Sequence, residues 1–182
     1  MRIVAGDFKG RRLYMPNDEL IRPTTEKVKE ALFSILAPDI YDANVCDLFA
    51  GTGNLGLEAL SRGARHCWFC DHAGESIKLI KENVEMCRAE EMSTIIHGDY
   101  KKALDSIERE GEKIDIFFLD PPYKKTLLER AMKEIAASGL LAENGLLVAE
   151  HHKQKELPDE VEGLRKIKEK KYGRVVLSIY MC

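Results

Sequence analysis

The sequence predicts a doubly wound α/β fold built on a mostly parallel sheet. Three observations lead there. Short apolar runs near residues 45–49, 65–70, 94–96, 114–119 and 145–150 alternate with helical patterns near 54–62, 74–89, 100–109 and 125–137, which is the rhythm of βαβ units. The run from Ile114 to Leu119 is apolar almost throughout, as a strand covered on both faces should be. The first run ends in a glycine-rich turn, Ala50-Gly51-Thr52-Gly53, from which a helix starts at once.

Ahead of this pattern lies a preface. Residues 2–5 and 12–14 read as two short strands around turns at Gly6-Asp7 and Lys9-Gly10. Arg2, Lys9, Arg11 and Arg12 face only one acid there, Asp7, so this arm is either a solvated edge or a phosphate-contacting surface. In Arg22-Pro23-Thr24-Thr25-Glu26, Pro23 keeps Arg22 out of the helical region. Thr24 or Thr25 then caps a helix whose apolar face is Val28, Ala31, Leu32, Ile35 and Leu36, and Pro38 ends it. Residues 1–40 are thus expected to form a hairpin-and-helix extension, and residues 41–182 the principal domain. After residue 150 the alternation stops. Two β-like runs, 164–171 and 174–181, are joined by Tyr172-Gly173 with no helix between them, so one of these strands must run antiparallel to its partner.

Composition narrows the function classes. The 182 residues carry a net charge of −3, so nucleic-acid contacts must come from local patches. No apolar run is long enough to span a bilayer and no signal-peptide pattern is present, which places the chain in the cytoplasm, away from membranes. The five cysteines are odd in number and scattered, as reduced thiols are. Cys67 and Cys70 lie three apart in a strand, on opposite faces, and no second Cys/His pair has zinc spacing. No metal is expected. His151-His152, after the fifth strand, reads as a surface pair.

Ligands of open α/β sheets sit beyond the carboxyl ends of the strands. The first strand ends in the glycine loop, the second in Asp71, twenty residues past Gly51, the third in Gly98-Asp99-Tyr100, and the fourth in Asp120-Pro121-Pro122-Tyr123. Gly51, Gly53 and Gly56 spell G-x-G-x-x-G, which by itself fits any dinucleotide-like ligand. Asp71 and Asp99 each also suit a helix N-cap, but all four clusters share one rim. Two prolines after a buried strand make a rigid corner with no backbone donors. Asp120 and a neighbouring carbonyl become a pair of acceptors suited to an exocyclic amine, and Tyr123 offers a face for a base to stack on.

These motifs resemble those of class I S-adenosylmethionine-dependent amino-methyltransferases. The segments 22–33, 47–53 and 57–63 and the ending around Tyr172-Gly173 are similar, more narrowly, to the RsmD family of bacterial small-subunit ribosomal RNA guanine-N2 methyltransferases. The resemblance runs from Arg2 to Tyr180. It implies a Rossmann-like, mostly parallel seven-stranded sheet with an antiparallel last strand, and S-adenosyl-L-methionine as cofactor. Asp47, Phe49, Ala50, Gly51, Thr52 and Gly53 would hold the methionine end, Asp71 the ribose, and Asp99 and Tyr100 the adenine, with Thr24 at the mouth. Asp120, Pro121, Pro122 and Tyr123 would position the target amine. Asn54 stands where a small residue is common, and Asp71 is shorter than the usual acid.

The implied partner is ribosomal RNA or a 30S assembly particle, met by a monomer. RNA contacts are expected from Arg2, Lys9, Arg11, Arg12 and Arg22, and from a second basic stretch that includes Lys170, Lys171 and Arg174. Three alternatives carry different chemistry. They are an amino-methyltransferase acting on DNA adenine N6 or protein glutamine, an NAD-binding oxidoreductase, and a non-catalytic nucleotide- or RNA-binding module. The oxidoreductase gives Asp120-Pro121-Pro122-Tyr123 no role, and a glutamine methylase more often has Asn at position 120.

Overall fold

The computed structural model describes residues 1–16, 25–122 and 125–182. Arg22, Thr24 and Tyr123 therefore lie outside the described residues.

One sheet runs through the molecule in the order β3-β2-β1-β4-β5-β8-β7-β6. The strands are β1 (Asn44–Asp47), β2 (His66–Asp71), β3 (Ser93–His97), β4 (Ile114–Leu119), β5 (Leu141–His152), β6 (Glu160–Val161), β7 (Leu164–Tyr172) and β8 (Val175–Met181). The first five are mutually parallel and β8 joins β5 antiparallel. The strand order reverses beside β1, which is flanked by β2 and β4. A crevice opens at such a point because successive crossovers leave in opposite directions.

Among the described residues five α-helices cover the sheet: α1 (Glu26–Ile35), α2 (Asn54–Ser61), α3 (Gly74–Cys87), α4 (Tyr100–Glu110) and α5 (Lys125–Ser138). Alternation along β4 feeds two cores. Ile116 and Phe118 join Leu32, Leu57 and Ile80 on one face, while Phe117 and Leu119 join Leu104, Ile107 and Met132 on the other. Thr25 caps α1, its Oγ1 accepting from Val28 N–H at 3.3 Å. Asp99 caps α4, accepting from Lys102 N–H at 3.0 Å. The four positions preceding each helix interior need such acceptors because their amides have no partner within the helix.

The α/β class and the mostly parallel sheet are as the sequence predicts, with two differences. Among the described residues the sheet has eight strands rather than seven. The extra one, Glu160–Val161, is too short to show periodicity and is formed by a tight hairpin at Glu162 (φ 46°) and Gly163 (φ 89°). The N-terminal segment, read as two short strands, makes a single antiparallel bridge between Arg2 and Arg12. Its ladder is interrupted because the Val4 and Ala5 amides donate instead to the carboxylate of Glu58, at 2.9 and 3.1 Å.

This segment is tied closely to the sheet. Ile3, Phe8 and Leu13 lie in the same core as Val45 and Phe69. Every residue of α2 is buried, because the N-terminal segment covers its outer side. Beneath that cover Lys29 and Glu58 pair at 3.0 Å with both side chains inaccessible to solvent. Lys29 Nζ also donates to the Arg2 carbonyl and to Asn54 Oδ1, and Arg62 Nε donates to Glu58.

Candidate active site

A cavity of about 810 Å³ lies over the carboxyl ends of β1, β4 and β5, within the size range of small-molecule sites. Its floor is the turn after β1. Leu48 N–H donates to Phe118 O at 3.0 Å and Ala50 N–H to Cys70 O at 2.9 Å, so the turn hangs between β4 and β2. Gly51 (φ 57°) and Gly53 (φ 78°) carry the chain through the left-handed region, which L side chains rarely adopt. A Cβ on Gly51 would meet nothing within 4 Å, so this backbone faces open space, whereas one on Gly56 would meet Phe69 at 2.3 Å and Cys67 Sγ at 2.6 Å. Gly51 is the surface of a cradle; Gly56 lets α2 press against β2.

Two aspartates shape that cradle from behind. Asp71 accepts from Gly51 N–H through Oδ2 and from Ala73 N–H through Oδ1, both at 2.9 Å. It staples the loop to the start of α3 without capping that helix, whose N-cap is Ala73. Asp47, almost wholly buried, accepts from Gly56 N–H at 3.0 Å. Burial pushes its carboxyl up to about 7, opposed by the Gly56 hydrogen bond and aided by the charge of Asp71.

The opposite wall is the exit of β4. Asp120, Pro121 and Pro122 line the cavity with Glu150, His151 and His152 of β5. Asp120 is exposed at the end of β4. Desolvation of its carboxyl by the surrounding protein, then the charges of Glu150 and Asp47, raises it well above the ordinary range. His151 is buried rather than part of a surface pair: β5 continues to residue 152, and Nε2 of His151 meets Ser178 Oγ at 2.9 Å. Burial depresses its pKa.

The structure thus brings Asp47, Phe49, Ala50, Gly51, Thr52, Asp71, Asp120, Pro121 and Pro122 to one cavity. Three other residues selected for the cofactor do not line it. Gly53 packs 3.3 Å, measured from an ideal Cβ, from the Phe69 ring. Asp99 is exposed and engaged as the α4 cap. Tyr100 is buried behind Phe49, its ring 6.2 Å away, and its hydroxyl donates to Glu134 at 3.0 Å. Thr25, beside the undescribed Thr24, lines the mouth with Met15 and Pro16.

A family model described as "Conserved hypothetical protein 95" matches residues 1–181. The chain belongs to this family. It is 37% identical over 180 residues to YlbH of Bacillus subtilis, covering 99% of this chain and 98% of that one. It is 34% identical over 184 residues to "Ribosomal RNA small subunit methyltransferase D" of Escherichia coli, covering 99% and 89%. Among solved structures, yhhF from Escherichia coli superposes with a TM-score of 0.87 at 30% identity, covering 100% of this chain and 97% of that one.

The basic residues selected from the sequence divide into two kinds. Arg2 pairs with Glu26 at 3.1 Å, and Arg11 donates to the Met86 carbonyl while lying 5.2 Å from the Phe8 ring centre. Lys9, Arg12, Lys170 and Lys171 are exposed, Lys171 with Glu169 at 3.5 Å. Arg174 reaches the cavity mouth, and so does Lys155, which the sequence reading missed. Lys153 N–H donates to the Arg174 carbonyl at 2.9 Å, so the end of β5 and the β7–β8 turn form one basic rim. The only sequence signal for Lys153 and Lys155 was their place just after a strand end.

Among the described residues, no group of three or more His, Cys, Asp or Glu side chains is placed to hold a metal ion. All five cysteines are free thiols. Cys67 and Cys70 fall in different cores, on opposite faces of β2, and burial pushes the Cys70 thiol up to about 12. No helix among the described residues is long and apolar enough to cross a membrane.

Proposed function

We propose that this protein transfers a methyl group from S-adenosyl-L-methionine to the exocyclic N2 amine of a guanine in small-subunit ribosomal RNA. The observation that carries the reading is the convergence on one cavity of a glycine cradle backed by Asp47 and Asp71 and an acceptor corner, Asp120-Pro121-Pro122. The name of the Escherichia coli relative, a ribosomal RNA small subunit methyltransferase, supports it.

The cradle suits the amino-acid end of the cofactor. Gly51 offers open backbone, and Asp71, which also lines the cavity, offers negative charge to a positively charged ligand. Asp71 keeps lone pairs free beyond its two amide partners and serves the ribose. When bound, the cofactor supplies a sulfonium methyl as electrophile, the amine nitrogen forming the new C–N bond as the S–C bond breaks. Asp120 and the Pro121 carbonyl accept the two amine hydrogens and turn the nitrogen lone pair out of conjugation with the ring. Asp120 then takes the proton that the nitrogen loses. Orientation and fixed acceptors supply most of the acceleration. Tyr123 stacks on the extruded base and offsets part of its unstacking.

The N-terminal segment, residues 1–40, serves the cavity mouth and the RNA, and residues 41–182 carry the chemistry. The basic rim of Lys153, Lys155, Lys171 and Arg174 follows the phosphates of the RNA or of a 30S assembly particle. The protein acts in the cytoplasm as a monomer.

Calorimetry with S-adenosylhomocysteine and NADH, followed by labelled methyl transfer to small-subunit RNA, tests this. Asp120→Ala is expected to bind S-adenosylhomocysteine as the parent does and to lose methyl transfer. Transfer near the parent rate would remove Asp120 from the chemistry, and binding of NADH instead would remove the reaction class.

A further inference from the structure

Glu150 was not singled out by the sequence and has no part in the chemistry above, yet its place is tightly defined. Leu119 of β4 lies opposite Ala149 of β5 in parallel register, and both point into the core beneath α4 and α5. Glu150 follows Ala149 on β5 and so turns to the other face, and Asp120 is the first residue beyond the end of β4, directly after the Leu119–Ala149 pair. Both line the cavity. Of the charges acting on Asp120, that of Glu150 is the strongest. Two carboxylates therefore stand side by side where the acceptor corner meets the base.

The exocyclic amines of the bases differ in what flanks them. The adenine N6 amine has the N1 lone pair beside it, and the cytosine N4 amine has the N3 lone pair. The guanine N2 amine has the N1–H donor beside it. A second acceptor next to the one that holds the amine attracts guanine and repels the other two.

Resting on the guanine reading above, we infer that Glu150 is a specificity-determining residue that accepts the N1–H of the target guanine while Asp120 holds the N2 amine. The site then selects a donor–donor edge, and an amine flanked by a lone pair sets that lone pair against a Glu150 oxygen.

The test uses 2-aminopurine, which keeps the N2 amine but carries a lone pair at N1. The methylated guanosine is first mapped by mass spectrometry in small-subunit RNA, and that position is rebuilt with either guanosine or 2-aminopurine. The parent protein should prefer guanosine by ~100-fold in kcat/KM, as expected when a site built to accept from a donor meets a lone pair instead. Glu150→Gln can turn its amide to donate to N1, so its preference should narrow by ~10-fold or more. Because 2-aminopurine also lacks O6, the narrowing in the variant decides; calorimetry with S-adenosylhomocysteine reports whether the variant is folded, and should Glu150→Gln fail to bind, Glu150→Ala takes its place and should narrow the preference likewise. Equal use of both RNAs by the parent overturns the inference, as does an unchanged preference in a variant that binds S-adenosylhomocysteine. A parent protein that methylates no guanosine at all overturns the guanine reading itself, which is a separate result.

Discussion

Lys29 and Glu58 meet at 3.0 Å with neither side chain accessible to water. This pair joins α1 to α2, and the Glu58 carboxylate also takes the amides of Val4 and Ala5. Burial lowers the Lys29 pKa, and Glu58 opposes that shift. Removing one partner of a buried pair leaves the other charge uncompensated. Glu58→Gln should therefore destabilise the protein by about 3–5 kcal/mol in urea unfolding. Adding Lys29→Met should restore part of the loss. A double variant no more stable than Glu58→Gln would show that the pair is not what holds this layer.

The two glycines at the start of α2 should separate in their effects. Gly51→Val forces a β-branched residue to φ 57° at the surface of the cradle, and S-adenosylhomocysteine affinity should fall sharply while the melting temperature drops by only a few degrees. Gly56→Val drives a side chain into Phe69 and Cys67. There the melting temperature should fall first, an overpacking cost of about 1–3 kcal/mol. The reverse ordering of the two variants would contradict the assignment.

Asp47 gives the stability a pH dependence of known sign. Its carboxyl is raised from 3.8 to about 7 by burial, so between those values the folded state holds more protons than the unfolded chain. Stability from this group is complete below the unfolded value and is lost as pH rises toward the folded one. Asp47→Asn keeps an acceptor for Gly56 and removes the loss. Its melting temperature relative to the parent should rise from pH 4 to pH 7 and level off above. A constant difference across that range would mean Asp47 is already ionised throughout.

Most of the fold was legible because apolar periodicity sets it. Each of the five parallel strands appears as a run, and Gly-rich or Pro-rich breaks mark their ends. The site was legible where chemistry is local, at Gly51, Asp71 and Asp120-Pro121-Pro122. What was hidden depends on partners distant in sequence. Glu58 looks like a solvent-facing position in a helix, and only Lys29 and the N-terminal amides make it a buried hub. Asn54, an oddity in the glycine loop, is explained by the hydrogen bond it accepts from Lys29. Glu150 was read only as the last residue of a strand and His151 as one of a surface pair, because β5 runs two residues beyond the expected strand. Asp99 was selected for its strand end, and the structure shows one of its oxygens capping α4.

The basic rim makes a further prediction. Lys155 and Arg174 border the cavity mouth, so Lys155→Ala and Arg174→Ala should each weaken binding to small-subunit RNA. Each should also reduce the slope of log affinity against log salt by ~1. Filter binding across a salt series measures this. An unchanged slope in both variants would place the RNA elsewhere.

The most direct test of the central claim is nucleoside mass spectrometry of small-subunit RNA taken from cells lacking this protein and incubated with it and S-adenosyl-L-methionine. The account predicts one new N2-methylguanosine, absent without the protein and absent with Asp120→Ala. No new methylated nucleoside, or methylation at adenine N6 instead, would contradict it.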